Sequence, residues 1–351
     1  MIPILYEYNE TLFESNGLGR LRDIIRAEVT EERNGVYECE FDYPVNGAHY
    51  SDIVLGRIIA VEHDDTGDIQ PFEIYKYSKP INGIVTFYAQ HISYRLNGIV
   101  APLSGINSLQ NALTAIFFQS VPSNSFTYET NKTNTGYLSI ADGTPRTIRE
   151  YLGGSEGSIL DAYGGEYEFD RFRVMLWDKR GKDRDVTIKY GLNMTDFADE
   201  VDNSESFNAC IPYWKNNNTV VKGSMIEAEL PSWDGVVKCA PLDLTDKFSS
   251  QPLVSAVEYE ARLYMRDRMP YLPTQNIKID FVRLKDSEEY NYFKDIQQCR
   301  LCDTVKVLFP MYGTNGRMEI VRVVWDVLQE RYTEMELGNL STSLAQALGI
   351  K

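Results

Sequence analysis

Apolar and polar residues alternate singly through much of this chain, and each change of that period marks an element. Ile2, Ile4 and Tyr6 open with a strand-like alternation. Residues 27–43 hold a clearer one. There Val36, Glu38, Glu40 and Asp42 share one face, and Tyr37, Cys39, Phe41 and Tyr43 share the other. Asn34-Gly35 precedes them, and Asn-Gly readily takes the left-handed conformations of a tight turn, so a hairpin is predicted. Strands follow at 57–62, 70–77 and 84–91. Their even spacing, with polar turns between, argues for a small barrel or sandwich over residues 1–98.

The period then lengthens to that of a helix. Over 108–119, Leu109, Ala112, Leu113, Ile116 and Phe117 fall on one face, and Ser108 is placed to cap. Residues 126–128 read as a strand, and the Asn-, Thr- and Ser-rich 124–136 as strand edges and loop. Pro145 can open a short helix at 146–152, because a first-turn proline sacrifices no hydrogen bond. The stretch 153–191 forms a compact unit. It predicts a helix capped by Ser155 and ended by Gly164-Gly165, whose second glycine-rich end suits a left-handed C-cap. A hairpin is then predicted, with Phe172, Val174 and Leu176 alternating into a turn at 178–181, and Val186, Ile188 and Tyr190 alternating back.

Residues 194–201 read as a short helix. Strands are predicted at 206–214 and 218–229, then a helix over 252–268 with Val254, Val257, Ala261 and Tyr264 as its stripe, ended by Pro270 and Pro273. A second β-rich stretch begins near 275. Ile277, Ile279 and Phe281 alternate, 287–295 is a short helix or loop, and strands are predicted at 305–309, 318–325 and 332–337. Residues 340–348 close with Leu344 and Leu348 on one side.

At 351 residues the chain exceeds the size of a single growing core, so two to four domains are expected. Its 23 tyrosines favour β-structure. A formal net charge of −16 leaves no basic footprint for phosphates, so sequence-specific nucleic-acid binding is not expected. No apolar run approaches the roughly 18 residues of a membrane helix, and the N-terminus lacks a signal-peptide pattern. A soluble product made in a cytoplasm, without membrane insertion, is expected.

The sequence carries no recognisable catalytic pattern. His49, His63 and His91 lie in no metalloprotease or Cys-His arrangement. His63-Asp64-Asp65 reads as a strand end entering a solvated turn, and His91 as a hydrogen-bonded structural residue. Cys299 and Cys302 are formally C-x-x-C, yet have neither a βαβ setting nor a second ligand pair, so they read as structural thiols beside Cys39, Cys210 and Cys239. Residues 153–158 lack the preceding strand and the lysine of a phosphate loop. Trp177, Trp214 and Trp233 could face a carbohydrate, but aromatics in β-proteins serve the core more often. No catalytic, cofactor or metal residue is therefore nominated.

The order of residues in the 153–191 unit is nonetheless specific. Gly164-Gly165-Glu166, Glu168, Asp170, Phe172, Val174, Leu176, Arg180-Gly181 and Tyr190-Gly191-Leu192-Asn193 resemble a phrase of the tail-hub proteins of bacteriophages and prophages of Gram-positive hosts, the prophage endopeptidase tail family. Further phrases in the same order are 31–37, 70–74, 89–94, 241–248, 281–284, 288–290 and 336–339. Asp185, Leu192 and Cys302 depart from that pattern. The resemblance implies a β-rich α+β fold: two small β-barrel, tail-tube-like domains plus α+β insertions, baseplate-hub-like. It implies a first barrel over 1–98, discontinuous and completed by a hairpin within 166–200. An insertion at 99–165, an α+β domain at 201–274 and a second barrel with a C-terminal segment at 275–351 complete the division. The expected role is a trimeric hub closing the distal end of a tail. Its expected partners are the distal tail protein, tail tube, tape-measure protein and a receptor-binding or lysin protein at the virion tail tip. Longer relatives carry a peptidoglycan-cleaving domain after this region. The alternative is accordingly a tail-associated peptidoglycan hydrolase (endopeptidase) or its N-terminal hub portion.

Overall fold

The computed structural model describes residues 2–79, 82–154, 157–189, 196–216, 219–228, 235–248, 250–280, 299–309 and 314–338. The predicted elements at 287–295 and 340–348 and the phrases at 281–284 and 288–290 lie outside them, as does Trp233.

The first third carries β1 (Ile4–Tyr6), β2 (Gly19–Arg20), β3 (Arg26–Glu32), β4 (Tyr37–Pro44), β5 (Ile58–Glu62), β6 (Ile69–Ser78), β7 (Ile84–His91) and β8 (Val100–Ala101). Next come α1 (Leu109–Phe118), β9 (Thr127–Thr130), β10 (Arg146–Thr147), α2 (Ile148–Leu152), α3 (Ile159–Tyr163), β11 (Glu166–Asp170), β12 (Arg173–Trp177) and β13 (Asp183–Lys189). The remainder holds β14 (Asp196–Asp202), β15 (Ala209–Asn216), β16 (Thr219–Lys222), β17 (Ile226–Glu227), β18 (Cys239–Asp243), α4 (Val254–Arg268), β19 (Thr274–Asp280), β20 (Thr304–Phe309), β21 (Thr314–Asp326) and β22 (Arg331–Gly338).

Thirteen described strands join one curled, half-barrel sheet in the order β14-β19-β22-β21-β3-β4-β7-β6-β5-β1-β2, with β20 on β21 and β13 on β20. The fold is thus β-rich with small helical parts. The β3–β4 hairpin turns at Asn34, whose φ of 58° is the left-handed conformation its sequence predicts. Its burial alternates as the pattern requires: Tyr37, Cys39, Phe41 and Tyr43 are buried and their neighbours half-exposed. Phe41 faces Phe87 across β4–β7, with rings stacked at 5.1 Å. Burying each such ring contributes about 2–3 kcal/mol. β5 is buried on both faces, Ile59 and Val61 toward the main core, Ile58 and Ala60 toward a smaller one with Ile4, Tyr6 and Phe13.

The junction of the N-terminal and C-terminal strands is β21, which pairs with β3 from Arg322↔Glu32 to Asp326↔Glu28. One hydrophobic core accordingly runs from Leu5 through Phe87, Val186 and Ile188 to Leu337. A second core fills the insertion, where α1 is capped by Ser108 and buries Leu109, Ala112, Leu113 and Ile116 as the periodicity predicts. A third lies between the β15–β18 sheet and α4, which buries Val257, Ala261 and Met265; Val254 is exposed instead, one turn before the stripe begins.

Four local expectations give way. The helix at 159–163 is capped by Ser158, whose hydroxyl accepts from Asp161 N–H; Ser155 lies outside the described residues. α2 starts after Pro145, because Thr147 and Glu150 close a capping box. Residues 196–202 form β14 rather than a helix, because β19 supplies seven registered partners from Asp280 to Thr274. The hairpin of the 153–191 unit is β11–β12, turning at Arg171 (φ 52°) and Phe172, with β9 parallel to β12. The expected return strand, β13, instead runs parallel to β20. The 178–181 segment cannot close a hairpin there because it is held against residues 302–304. Lys182 N–H donates to Asp303 Oδ1 at 2.7 Å and Thr304 N–H to the Lys182 carbonyl at 2.9 Å.

Candidate functional site

Where the β11–β12 hairpin meets the main sheet, polar side chains concentrate around a cleft of about 290 Å³ lined by Glu31, Asp64, Glu168, Asp170, Arg180 and Arg300 among others. Three anchors build it. Asn34, already fixed by the hairpin turn, mimics a strand partner: its Nδ2 donates to the Gly165 carbonyl at 3.0 Å and its Oδ1 accepts from Tyr167 N–H at 2.8 Å. Gln70 on β6 does the same at the hairpin tip. Its Oε1 accepts from Arg171 N–H at 2.8 Å and its Nε2 donates to Asp170 Oδ1 at 3.1 Å.

His91 orients that glutamine. Its Nδ1 accepts from Ser93 N–H at 3.2 Å, which leaves the proton on Nε2 to donate to Gln70 Oε1 at 3.2 Å. The ring stacks on Tyr37 at 4.3 Å and is fully buried. Burial, helped by nearby His63 and Arg149, holds its pKa well below the usual imidazole value. The third anchor is ionic. Arg180 reaches Glu31 Oε1 at 2.7 Å with side-chain exposures of 15% and 9%. Burial opposes the guanidinium charge, but Glu31 more than offsets it and the pKa is raised. Gly181 follows because a Cβ there would sit 1.8 Å from the Cys302 carbonyl oxygen.

The residues singled out in the sequence fall as follows. Asp64 closes a turn by accepting from Thr66 N–H at 2.8 Å, and Asp65 receives Arg300 Nε at 3.1 Å, so His63-Asp64-Asp65 is tied by ion pairing to the segment before β20. His49 pairs with Asp52 at 3.0 Å, away from this cleft's lining. Cys299 and Cys302 are buried in the turn before β20, in the main core. Burial pushes the Cys302 thiol up, so it is protonated near neutrality. Trp177 Nε1 donates to Glu168 at 2.5 Å, and Trp214 is a core residue donating to the Phe248 carbonyl at 3.2 Å.

Among the described residues, Glu166, Cys302 and Glu319 are the set whose ligand-type atoms lie within 4.8 Å of one another. Within that set, Glu319 already pairs with the Arg33 guanidinium at 2.6 Å. The cleft as a whole is a fastening: nearly every charged group in it already meets a partner. Asn34 is marked in the sequence as a turn and Gln70 as the start of the 70–74 phrase, but neither is marked there as an anchor of the hairpin.

No protein-family model and no curated protein matches the sequence. Solved structures do. The prophage tail protein gp18 of Listeria monocytogenes EGD-e superposes with a TM-score of 0.63 at 14% identity, covering 99% of this chain and 98% of that one. The 43 kDa tail protein of prophage MuSo2 from Shewanella oneidensis gives 0.62 at 9% identity, covering 96% and 98%. The tail protein of Neisseria meningitidis MC58 gives 0.61 at 12% identity, covering 97% and 96%. Over 96–99% of its length, the chain has the fold of these tail proteins.

Proposed function

We propose that the chain is a structural virion protein, a trimeric hub that closes the distal end of a phage or phage-like tail and joins the tail tube to the tip. The observation that carries this reading is the likeness of fold over 99% of the chain to a prophage tail protein. The hub-like phrases of the sequence point the same way. In this reading residues 1–98, completed from within 166–200, and residues 275–351 serve as two barrel units, with 99–165 and 201–274 inserted. Three copies then offer six related units to a sixfold tube. The partners are two further copies, the distal tail protein, the tail tube and tape-measure protein, and a receptor-binding or lysin protein. The role is mechanical rather than catalytic.

Mass measurement of the purified chain tests the assembly: a trimer is expected, and a monomer at every accessible concentration overturns it. Three copies at −16 each repel, so trimerisation strengthens as salt rises. Digestion of purified cell walls tests the hydrolase alternative. Muropeptide release abolished by one Asp or Glu substitution would replace the structural reading with that one.

A further inference from the structure

Glu166, at the start of β11, and Glu319, midway along β21, bring two carboxyl groups face to face between the inserted hairpin and the main sheet. Each has one oxygen committed to a donor. Glu166 Oε2 accepts from Arg180 N–H at 2.6 Å, and Glu319 Oε2 accepts from Arg33 Nη1 at 2.6 Å. Glu319 Oε1 is buried and no hydrogen-bond donor among the described residues reaches it; the Glu166 carboxyl is the group it faces. Their carboxyl oxygens lie within 4.8 Å, and two ionised carboxylates at that spacing repel.

The surroundings supply no second cation in direct contact with the pair among the described residues. Arg33, from the β3–β4 turn, serves Glu319. Arg180, from the segment before β13, is taken by Glu31 on β3, and Lys179 beside it donates to Thr304 at 3.0 Å. Glu168 on β11 adds further negative charge near Arg180, and the Cys302 thiol is neutral. Of these cations only Arg33 pairs directly with the two carboxyls; Lys179, held on Thr304, lowers Glu319 from a distance, and a proton makes up the difference. Burial and the Glu166 contact, against the pull of Arg33, raise Glu319 to about 7.

We propose that Glu166 and Glu319 form a proton-operated clasp between the hairpin and the sheet, closed while they share one proton and loosened when both ionise. The sign follows from linkage. The folded-state pKa lies above the ordinary carboxyl value, so the clasp is fully closed below about 4.5 and is lost as pH rises through about 7. Asn34 and Gln70 remain as pH-independent anchors, so opening is local.

The test uses the full chain labelled at the glutamate side-chain carboxyl carbon. Carboxyl NMR should show one glutamate titrating near neutrality, absent in both Glu319→Gln and Glu166→Gln. Amide protection across β11, corrected for intrinsic exchange, should fall about tenfold from pH 6 to pH 8 and stay level in the glutamine variants, which carry a permanent amide donor. Should Glu319→Gln fail to fold, Glu166→Gln gives the same reading from the other side. Both carboxyls titrating below about 5.5 would overturn the clasp, as would a protection slope that persists in the glutamine variants. Cys302→Ala should keep the titration; its loss would assign the cluster to the thiol and refute the proposal.

Discussion

Asn34 offers the sharpest test of how the insertion is fastened, because one side chain serves both a turn and a docking contact. Replacing it with glycine keeps the left-handed turn and deletes the contacts to Gly165 and Tyr167. Two neutral hydrogen bonds at about 1 kcal/mol each put the loss near 2 kcal/mol. Alanine loses the same bonds and must also hold a left-handed conformation, which adds about 1–2 kcal/mol. The order is therefore wild type, Asn34→Gly, Asn34→Ala. Native-state exchange of the Tyr167 amide reads the first step directly, since that N–H donates to Asn34 Oδ1. About 2 kcal/mol corresponds to roughly 30-fold faster exchange in Asn34→Gly. Exchange within about twofold of wild type would refute the docking role, and equal stability of the glycine and alanine variants would refute the turn role.

Removing Glu31 alone, as Glu31→Leu, strands the buried Arg180 charge and should cost about 3–5 kcal/mol in a urea melt. Glu31→Leu with Arg180→Met should cost clearly less, and a double variant weaker than the single one would contradict this. Gly181→Ala drives a Cβ onto the Cys302 backbone carbonyl, where no rotamer gives relief, so a loss above about 4 kcal/mol is expected; an unchanged melting temperature would disprove the close approach. His91 is held neutral, and the unfolded chain binds that proton first. Stability should thus decline as pH falls below about 6.5, and His91→Gln should flatten that limb. The comparison belongs in a Glu319→Gln background, where the opposing slope of the clasp is removed; an acid limb unaltered by His91→Gln would count against the assignment.

Local signals carried the sequence reading where the decisive contacts were local. Asn34-Gly35 marked its hairpin, Ser108 its cap, and the 257–261 spacing its helix face, each determined within about ten residues. The β11–β12 hairpin was misread because its true turn, Arg171-Phe172, has no glycine or asparagine. Arg180-Gly181 looks like a turn but is glycine for a different reason, contact with a carbonyl more than a hundred residues away in sequence. The 194–201 stretch reads as a helix because the partner that makes it a strand, β19, lies some 70 to 85 residues further on in sequence. The polar fastening was invisible for the same cause. Gln70, His91 and Asp170 are unremarkable until three separate segments bring them together. Charge pairing of this kind leaves no spacing in the sequence.

The pairing of β21 with β3 also has a consequence in time. Arg33 and Glu319, which meet across that seam, are 286 residues apart. At a synthesis rate of about 5–20 residues per second, strand β3 waits roughly 15–60 s on the ribosome for its neighbour. During that interval its outer edge presents an unpaired row of backbone donors and acceptors, with β-favouring Val29 and Thr30 in its middle. Nascent chains halted before β21 should therefore bind chaperones or associate with one another, and a strand peptide matching β21, supplied in trans, should suppress that association. The seam that unites the two ends of the molecule makes its folding a race against its own translation.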